Sequence, residues 1–478
     1  MNTSAGGFRK SLNLFDSTSI VVGSMIGSGI FIVSADMSRT LGSPGWLMIT
    51  WLISGLITVI AALSYGELAA MMPKAGGQYV YLREAYNPLS GFLYGWTLFL
   101  IIQTGTIAAV AMAFAKFAGV IFPAISETHL WLQVHNFRLS PAHGIAICSI
   151  LFLTWLNSRG IKLGKIIQNA FTSSKVIILL AFILVGLFLA RNEMAVSANR
   201  QVFWEAFGGT SGQGVPLWGW SLIAAMGAAM VGSLFSSDAW NNITFTAGEV
   251  INPRKNIPLS LLLGTLIVNV LYLVTNWVYL QALPLRGIAD TGGVIERGMQ
   301  FAVNDRLGTA AMEGLLGNYA AIVMACFVVI STFGCNNGLI LSGARVYYAM
   351  AGDGLFFRKA GELNERGVPA KGLWIQALWA SLLCLSGTYS NLLDYVIFAV
   401  LIFYSLTILG VFILRYKQPH TERPYKAFGY PLIPALYILI AMLIMSILLI
   451  YKPHYTWPGL IIVVLGIPVY FLWRKKAG

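Results

Sequence analysis

Two short stretches interrupt the apolar pattern of this chain with residues able to expose backbone polar groups. Val22-Gly23-Ser24-Met25-Ile26-Gly27-Ser28-Gly29 lies in the first long apolar run, and Val231-Gly232-Ser233-Leu234-Phe235-Ser236-Ser237-Asp238 lies in the sixth. A helix that opens at such a stretch leaves carbonyls at the end of its first half and N–H groups at the start of its second. The carbonyls attract cations and the amides attract anions. The competing reading is close packing. Gly23 with Gly27, and Ser24 with Ser28, form small-xxx-small pairs that let two membrane helices touch. Gly29 and the acidic residue of the second copy favour a break.

Two ionisable residues fall inside apolar runs at depth. Lys175 stands about nine residues into the fifth run, roughly 13 Å along a helix axis. A cation so deep is costly and faces the protein interior, although a lysine near a helix end can snorkel. The small neighbours Thr172, Ser173 and Ser174 suit a packed face. Asp238 is placed midway through the sixth run, one turn past its small-residue stretch. Lys116 lies near a helix end and has no assigned role; Glu67 and Glu249 sit toward helix ends, as gate or loop-anchoring groups. No HExxH pair, nucleophile elbow or His/Asp cluster appears, which argues against a membrane-embedded enzyme. No filter-like repeat or acidic ring appears, which argues against a channel. Cys148, Cys326, Cys335 and Cys384 lie in apolar runs at spacings that fit neither a metal site nor a disulfide framework, and read as small buried hydrophobes. No metal and no cofactor is expected.

The elements that hold these residues are membrane helices. The chain is 57% hydrophobic and 10% charged, with a mean hydropathy of +0.73, against about 25% charged for soluble proteins. Twelve apolar runs approach the ~20 residues needed to cross a bilayer. The fourth, 143–158, is short, and the ninth and tenth, 371–387 and 391–415, are close together, so eleven crossings remain an alternative. The first run carries Gly27-Ser28-Gly29 rather than an unbroken core and cleavage site, so it is expected to stay in the membrane. The net charge of +13 is spread in short clusters between runs, which fits loops beside a bilayer and not a nucleic-acid surface. With the N-terminus inside, 21 basic residues fall on the inner side and 8 on the outer. The positive-inside rule then places both termini in the cytoplasm. Five runs separate the starts of the two interrupted ones, so the halves have opposite orientation. Interrupted helices at matching positions of inverted halves point to a transporter's binding site.

Taken together, Gly23-Ser24-Met25-Ile26-Gly27-Ser28-Gly29-Ile30-Phe31, Gly42-Ser43-Pro44-Gly45, Ser64-Tyr65-Gly66-Glu67-Leu68 and Lys74-Ala75-Gly76-Gly77-Gln78-Tyr79-Val80-Tyr81 form a pattern. It continues with Phe235-Ser236-Ser237-Asp238-Ala239-Trp240-Asn241 and Gly248-Glu249-Val250-Ile251-Asn252-Pro253-Arg254-Lys255-Asn256-Ile257-Pro258. This resembles the amino acid–polyamine–organocation superfamily, in its L-type amino acid transporter branch, from about residue 10 to about residue 430. The resemblance implies an all-α polytopic membrane protein of twelve transmembrane helices, with a five-plus-five inverted repeat, broken helices 1 and 6, and two peripheral helices. The divisions are a cytoplasmic N-terminus (1–13), a first repeat (14–190), an extracellular loop (191–216), a second repeat (217–415), and helices 11 and 12 with the cytoplasmic C-terminus (416–478). It implies exchange of α-amino acids. In animal members a cysteine between helices 3 and 4 joins a glycoprotein subunit. The corresponding loop, roughly 123–141, has no Cys, so no disulfide-linked heavy chain is expected.

The resemblance also assigns roles. Ser28 and Gly29, with Gly27 beside them, face the substrate carboxylate. The carbonyls of Met25 and Phe235 face its ammonium, with Ser236 in the same stretch and the Phe235 ring as a cover or a packing aromatic. Trp240 follows, and Asn241 lines a side-chain pocket or joins helices; Gln103 and Thr106 could face the same cavity. Lys175 matches a lysine that occupies the sodium position of sodium-coupled relatives, reaching carbonyls of helix 1 and polar groups of helix 8 near Ser331 or Thr332. At position 238 many neutral-preferring members carry glycine, and the branch that also accepts dibasic amino acids carries aspartate. Asp238 therefore has three readings: a structural salt bridge or cap, recognition of a cationic side chain, or a protonation switch. The expected function is sodium-independent amino-acid exchange by alternating access in the plasma membrane, with neutral substrates foremost and cationic ones as an extension. A proton-coupled amino-acid or amine permease is the alternative.

Overall fold

A computed structural model describes residues 10–134, 137–189, 191–209, 214–385 and 389–477. Arg9 and most of the expected N-terminal segment lie outside the described residues, as do 210–213 of the loop and 386–388 at the end of the ninth run.

Proline and capping residues decide where the helices begin. Span 1 starts at Leu14, where Asn13 and Asp16 exchange side-chain-to-amide hydrogen bonds of 2.9 Å each. Spans 2 (Pro44–Met71), 3 (Pro88–Ile121), 4 (Pro141–Ser158) and 7 (Pro253–Ala282) each have proline in the first turn, where its missing N–H costs nothing. Span 5 runs Ile161–Leu184 and continues through Val185–Leu189. Span 6 begins at Gly219, and span 8 is the longest at 35 residues, Asn318–Gly352. Spans 10 (Tyr389–Lys417), 11 (Leu432–Tyr451) and 12 (Pro453–Ala477) complete the set. Among the described residues eleven helices are long and apolar enough to cross a membrane. The ninth expected run is a helix too, Ala370–Cys384, but its 15 residues fall below that length. This is a polytopic all-α protein. Between the spans the chain holds further structure: a helix at Glu193–Gln201, another at Leu307–Leu316, and two small hairpins, one of which pairs Phe207 with Pro216.

Both interrupted spans are broken. Span 1 is helical over Leu14–Met25, opens at Ile26–Ser28, makes one tight turn over Gly29–Phe31, and resumes over Val33–Leu41. Span 6 stays helical through Ser236, opens, and resumes as Asn242–Phe245. The small residues Gly232, Ser233 and Ser236 do not break it, because helix backbone bonds inside a membrane tolerate them. The opening falls later. Asp238 therefore lies in the break itself rather than a turn beyond it, and Trp240 and Asn241 lie there too rather than in a following helical turn.

Span 2 packs on span 7, and span 3 on span 8. Span 1 packs on spans 5 and 7, as span 6 packs on spans 10 and 2. Exchanging each of the first five spans with the one five later leaves these pairings unchanged. Spans 11 and 12 lie outside, against spans 2, 3, 6 and 10.

Two carboxylates tie the face on which span 1 begins. Glu67, 1% exposed, accepts from Arg415 at 2.9 and 2.6 Å and from the Ala427 amide at 2.7 Å, with Arg423 3.3 Å away. The Glu249 side chain, fully buried at the end of span 6, accepts from buried Arg345 of span 8 at 3.1 Å. The Glu67 cluster clamps span 2 to span 10 and to the segment that follows it. Glu67→Ala removes the carboxylate shared by Arg415, Arg423 and the Ala427 amide, while Arg423 keeps its backbone carbonyl partners, and should cost about 3 kcal/mol. Thermal unfolding of purified protein should show a lower midpoint for Glu67→Ala and an intermediate one for Glu67→Gln; an unchanged midpoint would contradict this role.

Candidate functional site

The break in span 1 exposes carbonyls in a region with little access to water, and the neighbouring spans satisfy them. Val22 O keeps its helical partner, the Ile26 amide, at 2.9 Å. Gly23 O and Ile26 O both accept from the Lys175 ammonium at 2.7 Å. Ser24 O accepts from the Cys335 thiol at 3.0 Å, and Met25 O from the Tyr272 hydroxyl at 2.9 Å. Donors from spans 5, 8 and 7 thus converge on one unwound turn. Lys175 is 2% exposed, so it points inward and does not snorkel. Its expected link to span 8 is indirect: Ser331 Oγ donates to Ile26 O at 3.3 Å, sharing that acceptor with Lys175, and reaches Gly27 O at 3.4 Å. Thr332 turns back to its own helix, bonding Val328 O.

The two breaks meet. A Cβ placed on Gly29 would overlap Ser236 at its Oγ, Cβ and Cα, so glycine is what lets the chains approach there. A Cβ on Gly27 would press on the Cys335 sulfur at 2.8 Å. Tyr272 lies between the breaks, its hydroxyl 2.9 Å from Met25 O and 3.2 Å from Ser236 O. Ser236 Oγ is bonded back to Gly232 O at 2.9 Å. The Phe235 carbonyl accepts from the Asp238 amide at 3.2 Å, and its ring is buried. Met25, Gly27, Ser28, Gly29, Phe235 and Ser236 are therefore in one place, with Lys175 on the far side of the span 1 break.

Asp238, Trp240 and Asn241 form the other side of the span 6 break. Ala239 between them has φ of 64°, a left-handed conformation that costs a residue with a Cβ about 1–2 kcal/mol. The surrounding contacts hold it. Asp238 Oδ1 accepts from the Tyr404 hydroxyl of span 10 at 2.6 Å. Trp240 packs edge-on to Tyr65 at 4.8 Å and beside Tyr404 at 5.0 Å. Asn241 Nδ2 donates to Gln78 Oε1 at 3.0 Å, and Gln78 Nε2 donates to Thr407 Oγ1 at 3.0 Å. Gln103 and Thr106 line the same cleft as Asp238, Asn241 and Tyr404. Asp238 and Lys175 do not pair, each having different partners.

Sequence reasoning missed Tyr272, Tyr404 and the role of Cys335. Cys335 had a signal: it sits in Gly334-Cys335-Asn336-Asn337-Gly338, a polar interruption of span 8. The two tyrosines had none, since nothing in an apolar run full of aromatics marks which ring reaches a distant carbonyl. Gln78 lay inside a quoted motif without a role.

Known proteins share this arrangement of sequence. The amino acid permease family profile matches residues 12–471. The mouse b(0,+)-type amino acid transporter 1 is 28% identical over 474 residues, covering 97% of this chain and 88% of the relative. The human Asc-type amino acid transporter 1 is 28% identical over 477 residues, covering 98% and 83%. The mouse large neutral amino acids transporter small subunit 2 is 28% identical over 484 residues, covering 99% and 84%. The similarity takes in both breaks and the helices that supply their partners, and the chain belongs to the amino acid permease family.

Proposed function

We propose that this protein is a sodium-independent exchanger of L-amino acids, with neutral substrates foremost and cationic ones as an extension. It would work by alternating access in the plasma membrane, with both termini in the cytoplasm. The observation that carries this is the Lys175 ammonium, 2.7 Å from both Gly23 O and Ile26 O. A fixed cation already neutralises the carbonyls that an unwound helix would otherwise offer to a metal ion. The relatives' names, which specify amino-acid transport, support the substrate class. The basic residues favour the N-terminal face as the inner one. The paired breaks and unchanged pairings support a first repeat of 14–190 and a second of 217–415, with 1–13, 191–216 and 416–478 as flanking segments.

In this reading the substrate lies where the breaks meet. Its carboxylate faces Ser28 and Gly29, with Gly27 beside them, and its ammonium faces the carbonyls of Met25 and Phe235. Tyr272 and Ser236 occupy part of that space. The side chain extends toward Asp238, Trp240 and Asn241. Amino-acid substrates and the bilayer are the partners, without a disulfide-linked subunit. Asp238, bonded to Tyr404 away from Lys175, speaks against a salt bridge between the two and fits a hydrogen-bonded structural role, side-chain recognition or proton exchange. Proton coupling is therefore the second reading.

Replacing sodium by choline should leave amino-acid uptake into proteoliposomes unchanged, and amino acid loaded inside should accelerate it. A steep sodium requirement would remove Lys175 from the sodium position. Lys175→Ala should cut exchange by more than about tenfold while the protein still reaches the membrane, because the Gly23 and Ile26 carbonyls lose a charged donor.

Gly29→Val should abolish binding, since a β-branched side chain drives into Ser236 and blocks the exposed turn. Amino-acid amides should compete poorly against the free acids. Equal competition would move the carboxylate elsewhere. Asp238→Asn keeps size and the Tyr404 contact but removes charge. Loss of lysine and arginine binding with alanine or leucine retained marks substrate pairing; loss of pH dependence alone marks the proton reading.

A further inference from the structure

Span 5 ends in a widened turn over Val185–Leu189. Gly186 in that turn lies so close to span 7 that a Cβ there would collide with the Val278 side chain. The helix Glu193–Gln201 follows and lies against the end of span 7. It buries Ala195, Val196 and Asn199, which recur at helical spacing. Asn199 Nδ2 donates to Leu280 O at 2.8 Å and to Leu283 O at 2.9 Å, and Asn199 Oδ1 accepts from the Leu285 amide at 2.7 Å. The Asn192 amide donates to Gln281 O at 3.1 Å. The helix thus satisfies carbonyls that the end of span 7 would leave open, and is held in place by doing so.

Between this helix and the ends of spans 5 and 7 is a groove of about 280 Å³. Leu187, Trp277 and Phe203 give it apolar walls, and Arg191 and Arg200 give it charge. Leu187 and Trp277 are exposed, as are Leu180 and Leu184 on span 5 and Ile267 and Val270 on span 7. Two apolar stripes therefore lead from the groove toward the middle of the bilayer. Exposed Trp204, Trp218 and Trp220 lie at the same end of the spans, and such rings mark the headgroup level.

The two arginines differ in what holds them. Arg191 is 3.1 Å from Glu193, and both are exposed, which makes a weak pair. Arg200 has no hydrogen-bond or ion-pair partner among the described residues. Other arginines of this face are engaged: Arg39 with Asp305, Arg286 with Gly42 O and Glu205 O, and Arg297 with Thr291 O and Gly292 O.

We propose that this groove binds an anionic phospholipid, its phosphate at Arg200 and Arg191 and an acyl chain along Leu187 and Trp277. A free phosphate would meet the charges and leave the apolar walls uncovered. A zwitterionic lipid would cover the walls, but its own cation offsets the attraction. A lipid of net negative charge uses both features. The bound lipid braces a connection that reaches the start of span 2, where Phe203 O accepts from Ser43 Oγ and from the Gly45 amide, each at 2.7 Å. The inference needs only that the spans lie in a bilayer and is independent of what the protein carries.

The test is native mass spectrometry of the delipidated full-length protein, titrated with phosphatidylglycerol, phosphatidylcholine or glycerol phosphate. Phosphatidylglycerol should bind roughly tenfold more tightly than phosphatidylcholine, from two interfacial arginines. Arg200→Gln removes a charge without breaking a contact within the protein, and should weaken phosphatidylglycerol about fivefold. Arg191→Gln should act in the same direction. Arg254→Gln, an exposed arginine at the other end of span 7, should leave lipid binding unchanged. No loss in Arg200→Gln, an equal loss in Arg254→Gln, or competition by glycerol phosphate as strong as by the lipid would overturn the site. A monomer–dimer ratio that shifts in Arg200→Gln with lipid binding unchanged would give the groove to a second copy of the chain, and overturn it as well.

Discussion

A helix opened inside a bilayer leaves backbone carbonyls that water cannot reach, and the rest of this structure is arranged around that constraint. Gly23 O, Ser24 O, Met25 O and Ile26 O each accept from a side chain carried by another span: Lys175, Cys335, Tyr272 and Lys175 again. An unsatisfied carbonyl in this setting costs several kcal/mol. The break therefore exists only because spans 5, 7 and 8 bring donors to it. The donors differ in kind, and this grades the site. The ammonium makes charge-assisted bonds at the deep side of the break, whereas a hydroxyl that spans Met25 O and Ser236 O occupies the side where the two broken spans meet. An arriving ammonium group can compete with a neutral hydroxyl far more readily than with a lysine.

The second break solves the same problem differently. Its carbonyls are not met by a cation; the Phe235 carbonyl takes the Asp238 amide, and the open segment is stabilised by its own side chains reaching outward. Asp238 goes to Tyr404, Trp240 to Tyr65 and Tyr404, and Asn241 to Gln78. These contacts hold Ala239 in a left-handed conformation that glycine would adopt without strain. The two halves of the site are thus held by different means. One is pinned by a buried ammonium, and the other is tied to span 10 both by the Asp238–Tyr404 bond and by a chain of neutral hydrogen bonds through Gln78 to Thr407.

Charge is used at the ends of the spans and avoided in the middle. Glu67 and Glu249 are buried but each faces guanidinium groups, and both belong to the face where span 1 begins. The opposite face is tied by Arg39, which reaches Asp305 at 2.7 Å and Gln300 O at 2.8 Å. Between these layers Lys175 and Asp238 are the deep ionisable groups of spans 5 and 6, and each has partners that answer its needs without pairing with the other.

Composition, the apolar runs and the motif residues were enough to determine a polytopic helical membrane protein, the family it resembles, the two breaks, and an inward-facing Lys175. These features are local: a run is apolar or not, a glycine either interrupts it or does not, and a lysine nine residues deep has nowhere to snorkel. The exact place of the second break was not local. Small residues from Gly232 to Ser236 remain helical, and Asp238, Trp240 and Asn241 prove to be in the opening, because side chains from span 10 and from the helix Gln78–Ala85 hold the chain open there. The partners of the exposed carbonyls were likewise invisible. Tyr272 lies 247 residues from Met25, and Cys335 lies 311 from Ser24. A donor's type can be read from sequence, but which acceptor it meets depends on how distant helices cross, and only the tertiary structure brings those atoms within hydrogen-bond range.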